Sequence, residues 1–286
     1  MSHMSIPKTY KLFIGGKFPR SESGRVYDVH GPKGVFLANV AQASRKDARD
    51  AVVAARSAQS GWAGATAYNR GQVLYRIAEM LDGRTEQFVA EIRSVTGASD
   101  KVARAEVHAA VDMWVWYAGW ADKYAQIAGN ANPVSGPFFN LSVPEPTGVV
   151  VSVASQDTAY SLIGLVSAIA PAIVTGNTVV VIANEAAPLA ALSFAEVVST
   201  SDVPGGVINI LTGSAAEIMP WLASHADVNA LDLAAASGLS TVEWEKAAAD
   251  TLTRIVRPRA AFTSLSVDRI DALVETKTIW HTKSLA

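Results

Sequence analysis

Between positions 145 and 213 the chain is apolar for long stretches, with only short polar or glycine-containing breaks. In Glu145-Pro-Thr-Gly-Val-Val-Val-Ser-Val-Ala154 a β-branched, uncharged centre follows Pro146 and Gly148, which predicts a strand. Its apolar residues are continuous rather than alternating, so both faces should be buried. Positions 161–174 are apolar almost all round and too long for a strand. They predict a helix lying on the sheet, ended by Gly176-Asn177 in a left-handed turn. Thr178-Val-Val-Val-Ile-Ala183 is the next strand, and a helix at 188–200 followed by a strand at 207–211 repeats the pattern. A continuous apolar strand after a crossover helix is the sequence form of a parallel βαβ unit, so the class is α/β.

The flanks are more polar. Lys11-Leu-Phe-Ile-Gly-Gly-Lys-Phe18 gives a hairpin signal, with two glycines at the turn. Ser44 is an N-cap for a helix to about Ser60, with Ala48, Val52, Ala55 and Ala58 at helical spacing and Trp62 in the connection that follows. Positions 68–93 form one long helix or two abutting ones, closed by Gly97, and 98–128 carry another. That last segment holds Met113, Trp114, Trp116, Tyr117 and Trp120. Aromatics at such spacings are read as core packing in preference to a ligand pocket. Positions 130–137 read as a loop and 138–143 as an alternating strand. After Gly213 come a helix at 215–223, a strand at 228–233, a helix at 241–252 and a strand at 254–257 stopped by Pro258.

Several motifs in register carry a resemblance. Glu145-Pro-x-Gly-Val-Val, the run from Ala170-Pro-Ala to Gly176-Asn-Thr-Val-Val180, Glu185-x-x-Pro188, and Val203-Pro-Gly-Gly-Val-Ile-Asn-Ile-Leu-Thr-Gly213 together resemble the cofactor domain of the aldehyde dehydrogenase superfamily. The resemblance implies a doubly wound, Rossmann-like parallel sheet with an N-terminal helical layer and β-strand oligomerisation segments. It divides the chain into a hairpin and helical part at 1–135, an oligomerisation strand at 136–146, a Rossmann-like core at 147–259 and a C-terminal oligomerisation tail at 260–286. In the tail, 272–281 resembles the family's last strand. Only positions 258–271 separate it from the last core strand, where full-length members have a whole catalytic domain.

The family's reaction uses a cysteine thiolate nucleophile, a side-chain amide for the oxyanion, a glutamate base and a nicotinamide cofactor. The 286 residues contain no cysteine, which also removes any disulfide framework. Asp157 stands in place of the oxyanion asparagine, and a carboxylate repels a developing oxyanion. No Glu-Leu-Gly-Gly segment occurs near Pro258 to supply the base. The family lysine on the adenosine ribose aligns with Ile182, while its neighbouring glutamate is kept as Glu185, a vestigial cofactor contact. The Phe-Thr-Gly-Ser turn that presents amides to the pyrophosphate corresponds to Leu233-Ala-Ala-Ala236, where a Cβ replaces the glycine and the hydroxyls are gone. Binding of NAD(P) is therefore expected to be weak or absent, and no cofactor is expected.

Other chemistries find little support. His3, His30, His108, His225 and His281 are scattered without metal-ligand spacing, and neither a Gly-x-Ser-x-Gly elbow nor a phosphate-binding loop occurs. A net charge of −2 gives no case for nucleic acid or an anionic membrane, and no run reaches the ~20 apolar residues of a membrane span. The start lacks a signal-peptide layout, Met1-Ser-His3 before Met4 resembles an expression scar, and the expected location is the cytoplasm. The sequence thus favours a pseudoenzyme: a structural or regulatory subunit that assembles with itself or with a full-length aldehyde dehydrogenase. The alternatives are an NAD(P)-dependent oxidoreductase component completed by a partner, and a nucleotide or small-molecule sensor using the old cofactor cleft.

Overall fold

Five parallel strands organise the computed structural model, which describes residues 8–283. In sequence they are β5 (Val149–Val153), β6 (Thr178–Ile182), β7 (Ile208–Leu211), β8 (Ala230–Asp232) and β9 (Arg254–Val256), and they lie in the order β7-β6-β5-β8-β9. The order reverses direction at β5, so the sheet is doubly wound and its crevice lies at the carboxyl ends of β5 and β8. Helices α6 (Ile163–Ile173) and α7 (Leu189–Ser199) make the first two crossovers, α8 (Ala215–Ala223) the third and α9 (Val242–Ala249) the last. All residues of β5, β6, β7 and β8 are buried. Val179 and Val181 of β6 face the cluster built with α6 and α7, whereas Val180 and Ile182 face α8 and the first helix, as the two-residue strand period requires.

The first helix, α1 (Arg45–Gly64), begins as the sequence predicts. Ser44 caps it in a full capping box, accepting the Asp47 N–H while Asp47 accepts the Ser44 N–H at 2.8 Å. It runs further than expected. Trp62, read as part of a connection, lies in its last turn, buried, with Nε1 donating to the Ile173 carbonyl at 2.9 Å. The 68–93 segment is two helices, α2 (Ala67–Asp82) and α3 (Thr85–Thr96), and Gly97 closes the second at φ 73. The 98–128 segment also divides, into α4 (Asp100–Trp120) and the short α5 (Tyr124–Ala128). Met113, Trp114 and Tyr117 are core residues, Trp114 stacking on Phe194 of α7 at 5.7 Å. At the front of the chain, β1 (Val26–His30) and β2 (Phe36–Ala41) pair antiparallel, and the Lys11–Phe18 turn is held by reciprocal Ile14–Lys17 hydrogen bonds of 3.0 Å.

A separate three-stranded antiparallel sheet runs in the order β10-β4-β3. Its strands are β3 (Asn130–Asn132), β4 (Phe138–Pro146) and β10 (Val274–Thr282). β3 lies where the sequence reads as loop: its polar Asn-Ala-Asn gives no strand signal and is paired by tertiary contact alone. The single strand expected over 145–154 is broken. Gly148, at φ 131, turns the chain from β4 into β5, and its N–H is held by Asn177 Oδ1 at 2.7 Å. The tail returns to this sheet as the sequence implies, Val274 opposite Pro146 through Thr282 opposite Phe138. The expected scar and His3 fall outside the described residues. No helix among the described residues is long and apolar enough to cross a membrane.

Candidate functional site

The crevice of a doubly wound sheet is where such folds bind ligands, and the turns after β5, β6 and β8 lie at these strand ends. After β5, Gln156 donates to the Ala154 carbonyl at 2.9 Å and accepts the Glu185 N–H at 3.0 Å. After β6, Asn184 donates to the Ser155 carbonyl and accepts the Ala187 N–H, at 2.9 and 2.8 Å. These two amides stitch the ends of β5 and β6 together with their own hydrogen-bonding capacity. Asp157 is exposed beyond them, with Oδ1 accepting the Ala159 N–H at 2.9 Å. Glu185 is also exposed, while Ile182 is fully buried against the α1 and α8 side.

The turn after β8 is covered. Leu233, Ala234, Ala235 and Ala236 are all buried. The Ala234 N–H is taken by Asp232 Oδ1 at 3.1 Å, the Ala236 N–H by the Leu233 carbonyl at 2.9 Å, and the Ala234 carbonyl by the Arg259 N–H at 3.0 Å. A pyrophosphate needs unspoken-for amides at a surface its oxygens can reach. The Ala234 and Ala236 amides are taken and the whole turn is buried, so the residues present do not fit a dinucleotide held in the usual way.

Over the Ala234–Ala235 side of this turn lies the 257–273 stretch, whose Arg259 bonds the Ala234 carbonyl and whose anchor is α10 (Asp268–Asp271). Arg269 of α10 is 3% exposed and reaches Asp232, itself 1% exposed, through Nη1 at 3.2 Å and Nη2 at 2.8 Å. Nη2 also donates to the Ser167 carbonyl of α6 at 3.0 Å. Burial works against the Arg269 charge, but the Asp232 carboxylate overrides it and holds the guanidinium more firmly protonated than in water. The adjoining Tyr117 hydroxyl is pushed up, chiefly by burial. The end of the stretch is tied down as well, since the Leu273 carbonyl accepts from Asn177 Nδ2 at 2.9 Å.

Beside this closure a groove of about 430 Å³ opens between α4, the start of α6 and the 263–265 segment. Met113, Tyr160, Ile163 and Leu265 give it apolar walls, and Tyr160 packs edge-on against Phe262 at 5.4 Å. Glu106 stands in it, with Oε1 accepting the Leu162 and Ile163 N–H groups at 2.7 and 3.2 Å and so capping α6. Burial raises the Glu106 pKa, and the two backbone donors pull it back part of the way. Glu106, Asp232 and Arg269 carry no sequence signal for these roles. An acid on a helix face and a charged pair 37 residues apart meet only through the tertiary fold.

The fold is that of the dinucleotide-type α/β proteins, and the comparisons narrow it. The aldehyde dehydrogenase family model matches residues 18–255, and the chain belongs to the aldehyde dehydrogenase family. Human retinal dehydrogenase 2 is 32% identical over 254 residues, covering 87% of this chain and 48% of the relative. Cytosolic 10-formyltetrahydrofolate dehydrogenase from Xenopus tropicalis is 34% identical over 237 residues, covering 80% and 26%. Among solved structures, betaine aldehyde dehydrogenase from Staphylococcus aureus, crystallised with NAD+, superposes with a TM-score of 0.79 at 25% identity, over 86% of this chain and 49% of that one. The chain thus spans about half the length of relatives such as retinal dehydrogenase 2.

The Asp232–Arg269 pair is both buried and central to the closure, so removing one partner strands a charge. Arg269→Ala should lower unfolding stability in urea by about 3 kcal/mol, whereas an Asp232→Leu, Arg269→Met double variant should recover most of that loss. Equal stability of Arg269→Ala and wild type would show that the pair does not hold the closing stretch.

Proposed function

We propose that this chain is a non-catalytic aldehyde dehydrogenase-like subunit with a structural or regulatory role. The observation that carries the reading is the closed turn after β8, where Leu233–Ala236 is buried, the Ala234 and Ala236 amides are paired within the chain, and the preceding Asp232 is held by Arg269. The composition supports it, since no thiol is available to attack an aldehyde. So does Asp157, which offers an acceptor where the chemistry needs a donor. Glu106 could hold a proton, but no nucleophile accompanies it in its groove. No reaction step is assigned to a nicotinamide cofactor.

Assembly is the retained function we assign. β4 and β10 pair with each other within the chain, so each satisfies one edge of the other. Among the described residues the outer edge of β10 has no neighbouring strand. One face of the sheet carries a polar ladder in which Asn132 donates to Asn140 and Ser142 at 2.6 and 2.8 Å. On the other face Phe139, 55% exposed, and Leu141, 38% exposed, stand in register with His281 and Ile279. An exposed apolar face beside an open edge favours association. The partner we propose is a second copy, a full-length aldehyde dehydrogenase, or both.

Two outcomes test these assignments. The purified protein should reduce neither NAD+ nor NADP+ in the presence of aldehydes, and Asp157→Asn should gain nothing, because no nucleophile remains to generate an oxyanion. Turnover that survives repurification would contradict the non-catalytic reading. By light scattering the protein should be a dimer or larger, and Leu141→Lys or deletion of residues 275–286 should shift it toward monomer. A monomeric wild type that also recovers no aldehyde dehydrogenase on pull-down would sink the assembly role.

A further inference from the structure

A second groove, of about 620 Å³, lies between the start of α1 and the end of α8. Its walls bring together Arg45, Lys46 and Arg49 of α1 with Trp221 of α8 and the His225 that follows it, and Glu22 is the carboxylate among them. Trp221 is 45% exposed, an uncommon position for so large an apolar ring, and the Arg45 guanidinium lies over it, 4.0 Å from the ring centroid. His225 Nδ1 accepts the Asp227 N–H at 3.2 Å, which places the proton of the neutral ring on Nε2 as a donor.

The anionic partners of these cations are weak. Lys46 meets Glu22 at 3.4 Å and Arg49 meets its neighbour Asp50 at 2.9 Å, all four side chains being more than 40% exposed. Solvated pairs of this kind contribute little and exchange readily for a better anion. A phosphate monoester carries up to two charges and three acceptor oxygens, against one charge and two oxygens for Glu22, and guanidinium groups take it in bidentate fashion. The indole and guanidinium stack beside it offers a flat surface for a second planar ring. The volume suits one small molecule.

We propose that this groove binds a planar ring carrying a phosphate monoester, as in a nucleoside monophosphate, with the ring against Trp221 and Arg45 and the phosphate held by Lys46, Arg49 and His225. None of the turns at the strand ends contributes to it, so the site stands or falls independently of the closed crevice and of the non-catalytic reading.

The test is calorimetric titration of the purified full chain with adenosine monophosphate, adenosine and inorganic phosphate, paired with tryptophan fluorescence. Adenosine monophosphate should bind saturably and lose affinity as salt is raised, with adenosine and phosphate each weaker by roughly tenfold or more. Arg49→Ala and Trp221→Leu should each weaken it by about tenfold. Absence of saturable binding at millimolar concentration would overturn the proposal, as would binding that an Arg45→Ala, Arg49→Ala double variant leaves unchanged. Phosphate binding as tightly as the nucleotide would overturn the ring assignment. If a variant fails to fold, the three-ligand comparison on the wild type still decides.

Discussion

A single buried ion pair governs how this sheet meets its surroundings. Asp232 ends β8 at the point where a doubly wound sheet opens its crevice, and a carboxylate buried there without a partner would cost several kcal/mol. Arg269 meets that need from a four-residue helix, and in doing so draws the 257–273 stretch across the strand ends. Nη2, which also holds Asp232, donates to the Ser167 carbonyl of α6, so one side chain ties together β8, α6 and the approach to the tail. Ala234 and Ala235 share a core cluster with Phe262 and Ile270 of that stretch, Arg259 bonds the Ala234 carbonyl, and Leu273 is anchored by Asn177, while Leu233 and Ala236 pack on the α8 and α9 side.

The same constraint separates what the chain shares with its family from what it does not. The apolar strands, the crossover helices and the capped α1 are held by burial and local hydrogen bonding, and these give the superposition on betaine aldehyde dehydrogenase. The strand ends, where an enzyme of this architecture would leave amides open, are filled instead by alanines and by the chain's own side chains.

How much of this could be read from the sequence follows the range of the forces involved. Strands β5, β6 and β7 were legible because continuous β-branched runs bounded by glycine and proline have few other uses. Ser44 was legible because a capping box is a four-residue affair. The break at Gly148 was not, since a glycine just ahead of an apolar run gives no sign of its positive φ until Asn177 is seen to hold its N–H. Trp62 was misplaced for a similar reason: its helix continues because the indole finds the Ile173 carbonyl, 111 residues away. Of the candidate site, Asp157 and Glu185 stand out through the family resemblance and both lie exposed at the strand ends, whereas Glu106 and the Asp232–Arg269 pair were invisible because neither partner signals the other along the chain.

The central claim is that the chain itself closes the crevice, and amide hydrogen exchange on the Leu233–Ala236 turn reports on this directly. If the closure is real, these amides exchange slowly, on the timescale of the β5 and β8 core, and their rates are unchanged by NAD+ or NADP+. Rapid exchange that slows when dinucleotide is added would contradict it, because it would mean that the turn is open and still presents its amides to a ligand.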